Sequence, residues 1–144
     1  MKHLLTIFCL VLLVSCSKEV PSDKLVFRNG LIYEINSTAA FTGSSVDYHD
    51  NGQMSSGENY KNGKREGLLE RFHDNGQLET RGNYKDGKED GPFEIFHENG
   101  QLEEKGNYKD GNKDGLWEFF NENGNLTKTV TWKNGDLVET NDNP

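Results

Sequence analysis

From residue 43 onward the chain repeats one order of apolar, polar and glycine positions every 24 residues. The glycines that open the successive units are Gly43, Gly67, Gly91 and Gly115. The same step separates the Asn-Gly pairs that end at Gly52, Gly76, Gly100 and Gly124, and the aromatic residues Tyr60, Tyr84, Tyr108 and Trp132. Because each class of position keeps the same step, the pattern predicts four repeats, at 43–66, 67–90, 91–114 and 115–139.

Each unit carries two turn signals, which divide it into segments of strand length. In the second unit these signals are Asn75-Gly76 and Asp86-Gly87. Such dipeptides favour two-residue type I′ hairpin turns, because both central residues of that turn need a positive φ. Since the segments between the turns leave no room for a helix, the sequence predicts an all-β fold, an elongated antiparallel β-hairpin meander.

The register of the predicted hairpins follows from the turns. If Asn75-Gly76 is a two-residue turn, Leu69 lies opposite Gly82 and Glu70 lies opposite Arg81. The corresponding pairs of the next unit are Phe93 with Gly106 and Glu94 with Lys105. A large side chain opposite a glycine, beside a pair of opposite charges, is a favourable cross-strand arrangement. The predicted core face carries Leu69, Leu78, Tyr84, Phe93, Ile95, Leu102, Tyr108, Trp117, Phe119, Leu126 and Trp132.

A second aromatic set lies on the opposite face of the predicted sheet. This stripe consists of Tyr48, Phe72, Phe96 and Phe120. Its members recur on every second strand, so they are spaced about 9.5 Å apart. Two interpretations are open: the rings cover the second side of the sheet under neighbouring charged side chains, or the stripe is a docking surface for a partner.

The first 16 residues predict an export signal. A short basic start, Met1-Lys2-His3, precedes the apolar run Leu4–Val14, which is too short to span a bilayer as a helix. The four residues 13–16, Leu-Val-Ser-Cys, resemble the lipobox of bacterial lipoproteins. That resemblance implies cleavage before Cys16, a thioether-linked diacylglyceryl group on its sulfur and an added N-acyl chain. An ordinary signal peptide that ends in a cysteine by chance is the alternative.

The lipoprotein resemblance also implies a location, a lipid anchor in the bacterial cell envelope. An aspartate after the lipidated cysteine favours the inner membrane in that family, so Ser17 favours the outer membrane. Residues 17–24 are predicted to be a polar tether, and residues 25–42 to form a degenerate capping hairpin around Asn29-Gly30. The polar tail 140–144 ends in proline, which would discourage further strand addition.

Composition narrows the classes of partner. Only 32% of the residues are hydrophobic, so we do not expect a thick globular core. The net charge of −8 argues against nucleic acid, because phosphate binding needs clustered basic residues. Cys9 would leave with the signal and Cys16 would carry the lipid, so no disulfide is expected.

No catalytic or metal-binding constellation emerges from the sequence. His49, His73 and His97 recur at the repeat step, too far apart for two of them to share one ion. The segment Asp110–Gly115 resembles the start of a calcium loop, but Asn121 occupies the place of the twelfth-position glutamate. We therefore expect no metal, no small-molecule cofactor and no enzymatic activity.

The repeats resemble a known family. The segments 83–91, 91–102 and 115–126, with their Asn-Gly and Tyr-Lys-Asp-Gly spacing, are similar to variants of the MORN (membrane occupation and recognition nexus) repeat. The last unit departs from the pattern at Val130-Thr131-Trp132, which replaces Gly-Asn-Tyr. The resemblance implies stacked hairpins that contact a protein or lipid without catalysis, in a group that includes bacterial lipoproteins and antitoxin-like proteins.

Taken together, these features predict a non-enzymatic envelope lipoprotein that acts as a scaffold for protein–protein or envelope recognition. Its expected partners are the membrane, through the lipid on Cys16, and an unidentified protein. The first alternative is an antitoxin or immunity-type protein that binds a toxin, and a carbohydrate-active enzyme is a third and weaker one.

Overall fold

The computed structural model describes residues 18–143, so the predicted signal and Cys16 lie outside the described residues. The described elements, apart from a short 3-10 helix at Ser22–Lys24, are β1 (Glu19–Val20), β2 (Leu25–Arg28), β3 (Leu31–Glu34), β4 (Gly43–Tyr48), β5 (Met54–Lys61), β6 (Lys64–Phe72), β7 (Leu78–Lys85), β8 (Lys88–Phe96), β9 (Leu102–Lys109), β10 (Asn112–Lys113), β11 (Gly115–Phe120), β12 (Leu126–Lys133) and β13 (Asp136–Asp142). Over this part of the chain, no helix is long and apolar enough to cross a bilayer.

Eleven of these strands form one sheet in the order β1-β4-β5-β6-β7-β8-β9-β11-β12-β13, with β10 attached to β9. Every neighbouring pair from β4 to β13 is antiparallel, whereas β1 pairs with β4 in parallel, so the sheet is mixed. Because consecutive strands are joined by short turns, each strand pairs with its neighbours in sequence. The predicted all-β meander of stacked hairpins is confirmed.

The predicted register is also confirmed. Leu69 pairs with Gly82 and Glu70 with Arg81 across β6 and β7. One unit later, the pairs are Phe93 with Gly106 and Glu94 with Lys105. The favourable cross-strand pairs of the two hairpins therefore lie opposite each other as predicted.

The turn type predicted at the four Asn-Gly pairs that end at Gly52, Gly76, Gly100 and Gly124 is wrong. At Asn75-Gly76 the His73 N–H donates to Gln77 O at 2.9 Å, and the Gly76 N–H donates to His73 O at 2.8 Å. Of the three loop residues 74–76, only Gly76 has a positive φ, of 80°. The connection is therefore a three-residue loop with glycine in the left-handed position, and the other Asn-Gly loops repeat its hydrogen bonds.

The register survives this error because a bulge absorbs the extra residue. Phe72 pairs with Leu78, but Arg71 pairs with Thr80, which leaves Glu79 unpaired. The bulge also moves Leu78 from the predicted core face to a place directly opposite Phe72 on the stripe face, since opposed residues share a face. The same pairing of stripe and leucine positions recurs at Phe96 with Leu102 and Phe120 with Leu126.

At the other end of the strands, the predicted two-residue turns are confirmed. Asp86 has φ 50° and Gly87 has φ 89°, as a type I′ turn requires. The equivalent first positions, Asn29, Asn62, Asp110 and Asn134, have φ between 49° and 51°. The two kinds of connection therefore alternate along the chain.

The segment before the repeats is not the free tether that we expected for residues 17–24. Lys18 accepts a hydrogen bond from Ser44 N at 2.8 Å through its backbone oxygen, and its ammonium pairs with Glu34 at 2.6 Å. Residues 19–20 then form β1, which ends the sheet beside β4. The tether prediction is wrong from Lys18 onward, because these contacts hold the segment against the sheet.

The capping hairpin exists, but it does not extend the sheet. Strands β2 and β3 pair with each other as a two-stranded sheet that is separate from the main sheet. This hairpin packs against the Asn62-Gly63 turn, where the Ile32 N–H donates to Gly63 O at 2.8 Å. Phe27, 69% exposed, lines an open cavity of about 380 Å³ beside Tyr60. At the opposite end of the chain, β13 continues through Asp142 into the residues predicted as a tail.

The core lies on one face of the sheet. Leu69, Trp117 and Val130 are buried there, and Trp117 has no exposed surface. The ring centroid of Trp117 lies 5.1 Å from that of Tyr108 and 6.0 Å from that of Phe93, which makes an aromatic cluster across three strands. Val20 and Phe41 are also buried, so buried side chains occur along the whole length of the described chain.

Candidate functional site

Successive three-residue loops are stacked by a repeated histidine contact. His73 Nε2 lies 2.9 Å from the backbone oxygen of Phe96 in the next repeat. His49 and His97 make the equivalent contacts, at 2.8 Å to Phe72 and 3.1 Å to Phe120. Because a carbonyl oxygen only accepts, Nε2 carries the proton in each case. The histidines therefore connect repeats to one another, which explains their 24-residue step.

An asparagine in each loop adds a second connection. The Asn75 side chain donates to the Glu98 backbone oxygen at 2.7 Å and accepts from the Gln77 backbone N–H at 2.9 Å. Asn51 and Asn99 repeat the inter-repeat bond. Each of these three loops is thus closed on itself and bonded to the next repeat, so these repeats have a defined spacing.

The turns at the other end are stacked as well. The Gly87 N–H donates to Arg65 O at 2.9 Å, and the Asp86 N–H donates to a Glu66 carboxylate oxygen at 2.9 Å. Equivalent bonds recur one and two repeats later. The sheet is therefore held at both strand ends as well as by its backbone ladder, which makes its surface a fixed array.

The residues considered for metal binding serve the structure instead. Within residues 18–143, no group of three or more His, Cys, Asp or Glu side chains is placed to hold a metal ion. In the calcium-like segment, Asp110 and Gly111 form a type I′ turn. Lys113 from that segment pairs with Glu104 at 2.6 Å and lies 3.7 Å from the ring centroid of Trp117. An ammonium in that position would repel a bound cation.

On the core face, charged groups partner the tyrosines. The Tyr60 hydroxyl and the Arg65 guanidinium both donate to the carboxylate of Glu58. Partial burial, then the hydrogen bond to Glu58 and its negative charge, raises the pKa of Tyr60 to about 12. Partial burial, with Glu89 as the hydrogen-bond partner, also raises the pKa of Tyr84 to about 12. These hydroxyls remain protonated at neutral pH and stabilise the sheet as donors.

The predicted stripe is only partly exposed. Tyr48 is 64% exposed, whereas Phe72, Phe96 and Phe120 are half-buried. Each of these three rings faces a leucine across the hairpin, and Lys105 lies 5.5 Å from the ring centroid of Phe120. The structure therefore places the four stripe residues on one face, but the three phenylalanines act largely as cover for that face.

A second apolar row on the same face is better exposed. This apolar row consists of Leu68, Pro92 and Leu116, each four residues before a stripe phenylalanine on the same strand. Leu68 is 39% exposed, Leu116 is 55% exposed and Pro92 is also exposed. This row was not predicted from the sequence, although a signal was present, because each member directly follows the glycine that opens a repeat.

Ion pairs lie between the apolar row and the stripe. Arg81 pairs with Glu70 at 3.1 Å and approaches Glu94 at 3.9 Å. Lys105 pairs with Glu118 at 2.9 Å. Three carboxylates therefore share two cations, which leaves this band of the stripe face slightly acidic.

The stripe face also has a recurring depression. One depression, of about 190 Å³, lies between Pro92 and Leu116 and includes Lys105. A second, of about 180 Å³, lies between Ser44 and Leu68 and includes Gly57. The positions named for the two depressions differ by 48 residues, which is two repeats, so the same concave feature occurs at two equivalent places on this face.

These features define a class of protein, an all-β repeat scaffold whose side chains are presented at a regular spacing. The family model described as MORN repeat variant matches residues 65–86, 89–110 and 113–134. This part of the chain therefore consists of three MORN repeat variants, which begin 24 residues apart as the sequence predicted. They indicate a repeat-based scaffold that binds a protein or a membrane. No curated protein matches the chain.

All but the last two residues of the first predicted repeat, 43–66, lie outside the matched segments. Its strands nevertheless have the same hairpin geometry, since His49 N donates to Gln53 O at 2.8 Å and the Asn51 side chain donates to Asp74 O at 2.6 Å. The unit therefore stacks on the second repeat as the others stack on one another.

Proposed function

We propose that the protein is a non-enzymatic lipoprotein of the bacterial cell envelope, and that it binds a protein partner through the stripe face of its sheet. The single observation that carries this proposal is the exposed apolar row beside the stripe, on a surface that hydrogen bonds hold at both strand ends. A rigid surface of this kind binds with little loss of conformational freedom, which favours recognition by shape and charge. The expected absence of a catalytic centre, a metal and a cofactor belongs to the same proposal.

The position of Lys18 supports attachment at the N-terminal side of the sheet. Because Lys18 is already bonded to the sheet, only Ser17 separates it from Cys16. Two residues span about 7 Å when extended. A lipid on Cys16 would therefore hold the β1–β4 side of the sheet close to the membrane surface. The far strand, β13, is eight strands from β4, which is about 38 Å across the sheet at about 4.8 Å per strand.

Outer-membrane attachment follows from the lipobox resemblance and from Ser17. Two or more acyl chains on one cysteine give stable membrane binding, whereas a single chain gives only reversible binding. The acidic net charge adds no attraction for anionic headgroups, so the lipid has to supply the membrane affinity.

The experiment that tests the anchor is membrane fractionation of Cys16→Ala against the wild-type chain, together with metabolic labelling by radioactive palmitate. We expect the variant to lose both the label and membrane association. Ser17→Ala is the matched control and should keep both. A Cys16→Ala protein that still fractionates with membranes would show that the anchor is misassigned.

The experiment that tests the recognition surface is cross-linking in the native envelope, with a photoreactive residue at Leu116 or, as the control, at Leu137 of β13. Both side chains are exposed, but only Leu116 lies on the apolar row. We expect a discrete cross-linked protein from position 116 and none from position 137. Equal cross-linking from both positions would contradict a role for the stripe face.

An antitoxin or immunity function is the alternative. The acidic net charge favours it, because an acidic surface suits a basic toxin. An exported, lipid-anchored protein would bind such a toxin in the envelope instead of the cytosol. If this alternative holds, cells without the protein should be killed by a secreted toxin of a neighbouring strain, and the wild-type gene, but not its Cys16→Ala variant, should restore survival.

A further inference from the structure

The two depressions of the stripe face are separated by a distance that suits one particular peptide conformation. The first lies at β4–β6 and the second at β8–β11, so equivalent points are four strands apart. At about 4.8 Å per strand the separation is about 19 Å, and the apolar row has a member about every 9.6 Å. A ligand that contacts several repeats in the same way must repeat at this interval.

We propose that the stripe face binds a proline-rich segment of its protein partner in the polyproline II conformation. This inference rests on the proposed recognition function and names the chemistry of the partner. A polyproline II helix has three residues per turn and rises about 3.1 Å per residue, so its equivalent side chains lie about 9.3 Å apart. Six residues span about 19 Å, which places matching side chains in both depressions.

Other regular conformations fit less well. Side chains on one side of an extended strand recur about every 6.8 Å. An α-helix presents side chains at each turn of about 5.4 Å, and two turns give about 10.8 Å, so its mismatch with the apolar row exceeds 1 Å for each repeat. Polyproline II also leaves its backbone carbonyls unpaired. The side-chain amides of Asn83 and Asn107, opposite Leu68 and Pro92, can donate to those carbonyls.

Charge adds a further requirement for the partner. The band beside the apolar row holds Glu70, Glu94 and Glu118 but only two cations, and the Glu94 carboxylate has only a long contact of 3.9 Å with Arg81. A lysine or arginine flanking the proline-rich segment would pair with this acidic band. The binding mode then combines apolar contacts at every third residue with a basic flank, as proline-rich ligands dock on apolar grooves.

The test uses a synthetic peptide in which leucine occupies every third position of a polyproline segment, with a lysine at each end. Binding to the purified chain without its signal is measured by fluorescence anisotropy, and the contacted residues by amide chemical-shift changes. The control peptide has the same composition with its leucines moved to every second position. We expect at least tenfold weaker binding of the control, and shift changes that cluster on β6, β8 and β11.

Two substitution sets locate the site. Leu68→Ser/Leu116→Ser should weaken binding at least tenfold. Leu137→Ser/Val138→Ser on β13 is the matched control, because it also alters two exposed apolar side chains, and it should leave binding unchanged. Glu94→Lys should weaken binding of the basic peptide and strengthen that of a version with glutamate ends. Circular dichroism checks that each variant keeps its fold.

Equal affinity for the spaced and control peptides, or full affinity in Leu68→Ser/Leu116→Ser, would overturn the inference. If Leu116 cross-links to an envelope protein while the peptides do not bind, the polyproline inference fails and the proposed function stands. If the photoreactive residue at position 116 cross-links to no protein and the peptides do not bind, the polyproline inference and the proposed function both fail.

Discussion

The ring of Trp117 lies directly against the backbone of Gly106, and a Cβ atom at that glycine would be 2.2 Å from the ring carbon Cδ2. Gly82 has the same relationship to Phe93, with a closest approach of 2.9 Å. The equivalent position of the last repeat is Val130, whose neighbour on β13 is Thr140. A side chain is therefore tolerated there because no large ring from the next strand lies over it.

This relationship predicts the effect of Gly106→Ala. Trp117 is fully buried and cannot move away without losing its contacts with Tyr108 and Phe93, so the added methyl overpacks the core face. We expect a loss of about 1–3 kcal/mol in the free energy of unfolding, measured by urea denaturation. Gly82→Ala is the matched control and should cost less, because its closest contact is longer. Equal stability of Gly106→Ala and wild type would contradict the packing.

The second prediction concerns the two-residue turns. Asp86 has a positive φ of 50°, and Asn62 and Asn134 have φ 51° at the same position of other repeats. Asp86→Asn should therefore leave the melting temperature nearly unchanged. Asp86→Val should lower the stability by about 1–2 kcal/mol, because a β-branched residue is disfavoured in the left-handed region. A valine variant as stable as the asparagine variant would contradict the type I′ assignment.

The third prediction separates side-chain from backbone contributions in the loops. Asn75→Ala removes one bond to Glu98 O and one from Gln77 N, and should cost about 1–2 kcal/mol in urea unfolding. Glu98→Ala is the control, since only the backbone oxygen of Glu98 takes part in this contact, and that oxygen remains. If both variants lose the same stability, the stacking bond is not what holds the loops together.

The fourth prediction is a loss of stability in alkaline solution. The pKa values of Tyr60 and Tyr84 are raised to about 12 in the folded protein, from about 10 in an unfolded chain. Since the folded state retains these protons more strongly, their contribution is present below pH 10 and is lost as the pH rises toward 12. Unfolding in urea at several pH values should show this decline. Tyr60→Phe/Tyr84→Phe should have a shallower decline, and an identical slope would count against the shifted hydroxyls.

The register illustrates how far sequence reasoning extends in this fold. The pairing of Glu70 with Arg81 was predictable because a pair of opposite charges beside a large residue opposite glycine occurs here and again one unit later. The face of Leu78 was not, because an Asn-Gly pair is compatible with both two-residue and three-residue loops. This chain contains both, since Asn62-Gly63 forms a two-residue turn and Asn75-Gly76 closes a three-residue loop.

The candidate site, too, was only partly predictable from the sequence. The stripe could be predicted from its 24-residue step, but its exposure could not, because the leucines that face its phenylalanines reach that position through the bulge. The apolar row carried the same periodic signal and was missed, since alternation within a strand identifies a face without telling how much of it is covered.

By itself, the sequence determined the period, the strand-and-turn alternation, the hairpin register and the type I′ turns at Asp86-Gly87 and its equivalents. These properties depend on local backbone preferences and on side chains in adjacent strands, which a repeated sequence displays directly. Only the tertiary structure decided that Lys18–Val20 joins the sheet, that the capping hairpin packs beside it and that Leu68, Pro92 and Leu116 are exposed. Those outcomes depend on contacts between segments far apart in the chain, where several pairings satisfy the same local pattern.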